Sequence, residues 1–145
     1  MEAVEGLAQL LAKLARLSGA EMDTLLGQEL RLEAELVMTD SKENYVPVDY
    51  GTLRSTGLVT GPQKEGVTLT VYLSYGGPAA PYALAVHENP RAGKTGGVSP
   101  SGKPYKHFAQ VGQWKYLEEP VAKAQGRLTE RIGGRLKSQI EGMAR

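Results

Sequence analysis

Apolar residues change their spacing twice along this 145-residue chain. Val4, Leu7, Leu11 and Leu14 recur at three- and four-residue intervals, with Leu10 and Leu17 widening the stripe. That is the period of an amphipathic helix. Ser18-Gly19-Ala20-Glu21 then has the spacing of a capping box, with Leu17 and Met22 at the staple positions. A helix is predicted from Gly19 to about Thr39, whose apolar positions are Met22, Leu25, Leu26, Leu30, Leu36 and Val37. The two helical stretches are either successive helices or one bent helix. Pro47 ends this part, because the residue before a proline is driven out of the helical region.

After Pro47 the period becomes two. Val67, Leu69, Val71 and Leu73 alternate with Thr68, Thr70, Tyr72 and Ser74, a half-buried strand rich in β-branched residues. Thr56–Gly61 is its predicted hairpin partner, joined through the polar turn from Gly61 to Gly66. A second loop follows from Gly76 to Pro81. Tyr82, Leu84 and Val86 then alternate as a third extended segment reaching about Glu88. The period returns to helical after Pro120, which suits a first helical turn. Val121, Leu128, Ile132, Leu136, Ile140 and Met143 share one stripe there, flanked by Ala124. Gly126, Gly133 and Gly134 fall off it, and each costs up to ~1 kcal/mol relative to alanine, so this helix needs support from its neighbours.

This order predicts one α+β domain over residues 1–145. Residues 1–40 are helical, and 47–88 form a small antiparallel sheet of about three to four strands. Residues 89–113 form a flexible basic loop. The amphipathic helix at 118–143 packs on the sheet. Apolar residues at 41% and charged residues at 23% are ordinary for a globular domain. The absence of cysteine excludes disulfides, thiolate metal sites and cysteine nucleophiles. No apolar run approaches the ~18 residues of a membrane span. Met1 to Leu17 is amphipathic and carries Glu2 and Glu5, unlike a secretory leader.

Net charge is only +1, but it is unevenly spread. Met1 to Asp40 holds three basic and eight acidic residues. Asn89 to Leu117 holds five basic residues (Arg91, Lys94, Lys103, Lys106 and Lys115) and no acidic one. An acidic front and a basic middle suit a molecule that meets neighbours of opposite sign, although solvated faces give the same pattern. The stretch from Asn89 to Gly112 has five glycines and three prolines in 24 residues, and a loop that long is uncommon unless it works or is disordered.

Candidate chemistry is sparse. His87 and His107 are the two histidines. His87, Glu88 and His107 invite a metal site, but adjacent residues on a strand point to opposite faces. The extended reading therefore assigns His87 and Glu88 to structural hydrogen bonds near a subunit edge, and no metal or cofactor is expected. Arg91-Ala92-Gly93-Lys94-Thr95 echoes the end of a phosphate loop, but Glu88 stands where the motif needs its first glycine. Ser55 and Ser74 have no histidine at a telling spacing. The chain reads as a protein without catalysis. Tyr105, Phe108 and Trp114 interleave with Lys103, Lys106 and Lys115, a composition suited to backbone contacts and base stacking. A nucleic-acid-binding module is thus the alternative from a different class.

Val46-Pro47-Val48-Asp49-Tyr50-Gly51-Thr52-Leu53-Arg54-Ser55-Thr56 resembles the V-P-V-D-T-G-x-L-R-x-S signature of the neck and tail-completion proteins of long-tailed bacteriophages, also described as head–tail joining or minor capsid proteins. Pro81 to Glu88 resembles that family's P-Y-A-x-x-V-H-E stretch. His107 followed by Val111 to Glu118 resembles its H-x(n)-G-Q-A-K-F-L-E segment, and an amphipathic helix closes both. Tyr50 stands where the family has threonine, and Trp114 where it has a small residue.

The resemblance implies a structural virion protein of the head–tail junction, built in the host cytoplasm and acting as a ring-forming homo-oligomer. Its partners would be other connector and tail proteins. DNA would pass through the channel without sequence-specific binding, and no membrane would be involved. Tail terminator is the near alternative within the same particle. Physics reads the signature as a corner. Pro47 stops the helix, Asp49 accepts amide protons within the turn, and Gly51 takes a positive φ. Leu53 enters the core and leaves Arg54 available for a carboxylate. Candidate subunit or partner contacts are Arg54, His87, Glu88, Arg91, Lys94, Lys103, Lys106, His107 and Trp114.

Overall fold

A computed structural model of the chain describes residues 19–48, 50–93 and 112–142. Helix α1 covers Gly19–Asp40 and runs on into a π-helical turn at Ser41–Tyr45. The amide of Val46 still reaches back to the Ser41 carbonyl at 2.8 Å, but Val46 is already extended, with ψ 130°. Pro47 enforces that change. The short helix α2 follows at Thr52–Ser55, then strands β1 (Leu58–Glu65) and β2 (Thr68–Ser74), the short helix α3 (Ala83–His87) and the long helix α4 (Glu118–Gly142). The stripe from Val4 to Leu17 and the Ser18 cap lie outside the described residues. Among those described, no helix is long and apolar enough to cross a membrane.

The architecture is α+β, with two antiparallel strands instead of the three to four expected. The segment from Tyr82 to Glu88, expected to be extended, is helical. Ala83 is buried and Val86 and His87 are half-buried, at the i, i+3, i+4 spacing of a helix, whereas Tyr82 and Leu84 are exposed. The hairpin also turns later than expected. Its two-residue turn is Gly66-Val67, with Gly66 at φ 61°, which is the glycine-first pattern of tight hairpin turns. Gly61 and Pro62 instead form a bulge in β1 between the pairs Thr60–Tyr72 and Gln63–Thr70. A proline has no amide hydrogen for the ladder, and a bulge is where a strand tolerates one. Val67, expected on the core face, sits at the hairpin tip and is 99% exposed.

Helix α1 is the centre of the molecule, and the other elements flank it. On one side the hairpin packs Val59 against Ala34 and Met38, with Val71 and Leu73 beside them. Pro62 of the bulge lies over Gly27, where a Cβ would come within 2.9 Å of its ring. Arg31 donates to the Gly61 carbonyl at 2.6 Å, and Lys64 pairs with Asp23. On the other side α4 runs antiparallel to α1, pairing Lys123 with Asp40, Arg131 with Glu33 and Arg135 with Glu29. The closing helix therefore lies along α1 and not across the sheet as expected, because the hairpin already holds the other flank.

That arrangement redistributes the stripe read for α1. Met22, Leu25, Leu26, Leu30 and Val37 are half-buried, and Leu36 is exposed. The positions fully covered are Gly27, Glu29, Glu33, Ala34 and Met38. Two carboxylates can be buried here because α4 brings arginines to meet them. A second core, Val46, Leu53, Ala80, Ala83 and Tyr116, sits beyond the C-terminal end of α1, and Tyr75 and Leu117 touch both cores. Burying Val46 or Leu53 contributes about 1.5–3 kcal/mol each.

Candidate interaction site at the loop base

The corner is built on Val46, which is fully buried, and on Gly51, which adopts φ 81° as the residue capping α2. A side chain at that φ would be strained. The Gly51 carbonyl accepts from the Ser55 amide at 2.9 Å, closing one helical turn. That turn drops Leu53 into the second core and leaves Arg54 exposed. Among the described residues no carboxylate pairs with Arg54; its charge is felt instead by the Tyr75 phenol. The Thr56 hydroxyl donates to the Leu53 carbonyl at 2.6 Å and accepts from the Gly76 amide at 3.0 Å, tying the corner to the end of β2. Asp49 lies outside the described residues.

The corner also meets the pair of residues that flank the basic stretch. The chain leaves the described body at Gly93 and returns at Gly112, and these two glycines touch: a Cβ on Gly93 would overlap the Gly112 carbonyl. Gly112 in turn lies on the corner, where a Cβ would fall 2.6 Å from Pro47 Cα and from the Val46 carbonyl carbon. Both glycines have positive φ, 78° and 98°. The Gln113 amide donates to the Tyr45 carbonyl at 2.7 Å, which clamps the returning chain to the end of the π-helical turn.

Beside this clamp the residues after the loop meet α3. The Lys115 amide donates to the His87 carbonyl at 2.8 Å. The Lys115 ammonium reaches both Glu88 carboxylate oxygens at 2.9 and 2.7 Å, and Glu118 Oε2 at 2.9 Å. His87 Nδ1 lies 2.6 Å from Glu88 Oε1, and Nε2 accepts from the Glu118 amide at 3.4 Å. Neutral His87 with its proton on Nδ1 satisfies both contacts. Hydrogen bonds from Lys115 and then His87 hold the Glu88 carboxyl below the usual carboxylate range. Bonds to Glu118 and Glu88 push the Lys115 ammonium up. The His87 ring meets Tyr116 edge to face at 5.0 Å.

His87 and Glu88 were expected on opposite faces of a strand. The helical turn instead brings donor atoms of His87, Glu88 and Glu118 within 4.8 Å of one another. The Lys115 ammonium already bridges the two carboxylates, so a metal ion held there would have to displace it. The cluster therefore works as a cation-centred clasp made wholly from the chain.

Below the clasp lies a buried polar core. Ser41 donates to the Tyr116 carbonyl at 2.5 Å, so the Tyr75 hydroxyl, 2.8 Å away, must donate to Ser41. The Tyr116 hydroxyl donates to the Ala83 carbonyl at 2.6 Å. Burial, with weaker repulsion from Tyr75 and Tyr82, pushes the Tyr116 phenol far up. Burial also raises Tyr75, partly opposed by the charge of Arg54.

Of the residues singled out from sequence, the structure gathers Pro47, Gly51, Leu53, His87, Glu88 and Trp114 around this base. Trp114 is half-buried, with the Lys115 ammonium 5.7 Å from its ring centre. Arg91 is exposed, and its amide is capped by Asn89 Oδ1 at 3.0 Å. Lys94, Lys103, Lys106 and His107 lie outside the described residues. Sequence reasoning did not single out Ser41 or Tyr75, nor the carboxylates Glu29 and Glu33; Tyr116 and Glu118 entered only as part of the stretch from Val111 to Glu118. Glu29 and Glu33 had a signal: a four-residue carboxylate spacing that matches Arg131 and Arg135. Comparison of the chain with family models, curated proteins and solved structures finds no match.

Proposed function

We propose that this chain is a structural component of a phage head–tail junction, a neck or tail-completion protein that assembles with copies of itself into a ring around the DNA channel. The observation that carries this reading is convergence. The three stretches that resemble the family, 46–56, 81–88 and 111–118, meet in one core through Val46, Leu53, Ala83 and Tyr116. Residues far apart in sequence that share one core behave as a single built unit. The basic segment starts and ends on this unit, at Gly93 and Gly112, and its charge suits docking onto an acidic neighbour. A ring subunit needs two dissimilar surfaces that meet head to tail, and the basic segment suits one of them; in the acidic N-terminal third, Asp23, Glu29, Glu33, Glu35 and Asp40 already pair with basic residues of this chain.

Limited proteolysis of the free protein and of assembled particles tests this reading. Cleavage between Asn89 and Gly112 is expected in the free chain and suppressed in particles. Association is expected to weaken with salt, since exposed charges are screened beyond ~8–10 Å. Equal cleavage in both states would overturn the docking role. DNA retention by the free chain, lost in a Lys103→Ala/Lys106→Ala variant, would favour a nucleic-acid-binding module instead.

A further inference from the structure

A two-stranded sheet has two edges, and here they differ. The β1 edge carries the features that discourage pairing: a bulge, Pro62 without an amide hydrogen, and the charges of Lys64 and Glu65. The β2 edge carries none of them. Thr68–Ser74 reads Thr-Leu-Thr-Val-Tyr-Leu-Ser, with no charge, proline or glycine. Among the described residues, no backbone group pairs with β2 except those of β1.

The direction of the free groups follows from the turn. Gly66-Val67 closes the hairpin with Glu65 and Thr68 as a bonded pair, so alternate residues Thr68, Thr70 and Tyr72 face β1. The Thr70 carbonyl lies against Gly61, as that parity requires. The amides and carbonyls of Leu69, Val71 and Leu73 therefore point away from β1.

We propose that a second copy of this chain pairs with this edge, β2 to β2, antiparallel about a two-fold axis through Val71. In that register Leu69 faces Leu73 of the second copy, Thr70 faces its Tyr72, and Thr68 faces its Ser74. All the outward groups of Leu69, Val71 and Leu73 are then used, in about six backbone hydrogen bonds. A two-fold contact sets a surface against itself, so a charged strand would repel its own copy. An uncharged strand whose leucines, threonines and tyrosine match about their own midpoint selects a second copy over a foreign segment. Both α1 helices end on one face of the resulting four-stranded sheet. Tyr72 and Leu58, 46% and 55% exposed in the single chain, line the other face. This closed pair differs from the head-to-tail contacts of a ring and stands independently of the junction reading.

Amide exchange at low and high protein concentration tests it. Leu69, Val71 and Leu73 should slow by about tenfold or more as concentration rises, while Thr70 and Tyr72 stay protected throughout. Sedimentation supplies the second arm. A T70E/Y72E variant sets like charges opposite each other and should remain monomeric. A T70K/Y72E variant sets opposite charges there and should pair again. Free exchange at every concentration would overturn the proposal. So would protection at every concentration, which means that this edge is covered within one chain. Pairing undiminished in folded T70E/Y72E would do the same. If circular dichroism shows that variant unfolded, the exchange pattern of the unaltered chain decides.

Discussion

The phenol of Tyr116 donates a 2.6 Å hydrogen bond to the carbonyl oxygen of Ala83, joining the chain just after the basic loop to the short helix just before it. With Lys115 bonded to the His87 carbonyl, the loop is closed at its base by two rungs. Tyr116 is 1% exposed, so removing its hydroxyl leaves a buried acceptor short of a partner. Tyr116→Phe should cost about 1–2 kcal/mol in urea unfolding. The same residue sets the alkaline limit. Its folded pKa is raised, so the stability it contributes is fully present below the ordinary tyrosine value of about 10 and is lost as pH rises through the folded value. Tyr75 acts in the same direction. The loss of stability above about pH 10 should be shallower in Tyr116→Phe than in the unaltered chain.

Glu88 sets a limit on the acid side. Its folded pKa is lowered, so its contribution is present above the ordinary glutamate value of about 4.3 and is lost as pH falls through the folded value. Carboxyl NMR titration should place Glu88 below the ordinary glutamate value. Glu88→Gln should flatten the acid side of the stability profile and also ease the alkaline loss, because Glu88 helps hold the Lys115 ammonium up.

Arg135 holds two buried carboxylates at once. Its guanidinium bonds Glu29, assisted by Gln139 at 2.6 Å, and lies 2.6 Å from Glu33 Oε1, which Arg131 also approaches at 3.2 Å. Arg135→Ala should destabilise the chain by about 3–5 kcal/mol, because buried Glu29 then keeps only Gln139 and buried Glu33 only Arg131. Adding Glu29→Leu and Glu33→Leu should recover most of that loss in thermal unfolding.

Glycines divide into two classes with opposite responses. Gly126, Gly133 and Gly134 lie in α4 with nothing near a Cβ, so alanine at each should raise stability by up to ~1 kcal/mol. Gly112→Ala combines a positive φ with backbone contact at Pro47 and should lower the melting temperature. It should also speed proteolysis next to the loop.

Periodicity and local backbone chemistry made several elements legible in the sequence alone. Three- and four-residue spacing marked α1 and α4, period-two alternation marked β2, and Pro47 marked where the helix must stop. Those signals work because a helix or strand repeats its own geometry, and a proline acts on its immediate neighbour. The face each element buries was not legible, because burial depends on what lies opposite. Glu29 and Glu33 are inside only because Arg131 and Arg135 arrive from roughly a hundred residues further along the chain. The segment from Tyr82 to Glu88 shows the same limit: its alternation matched a strand, but the pocket formed by Leu53 and Tyr116 takes Ala83 and Val86 from one side of a helical turn. The clasp of His87, Glu88, Lys115 and Glu118 likewise exists only after the loop has closed on Gly93 and Gly112. Short-range geometry determined which elements form. Long-range contact decided their faces, their number of strands and the site at the loop base, since those depend on distances between residues that the linear order keeps apart.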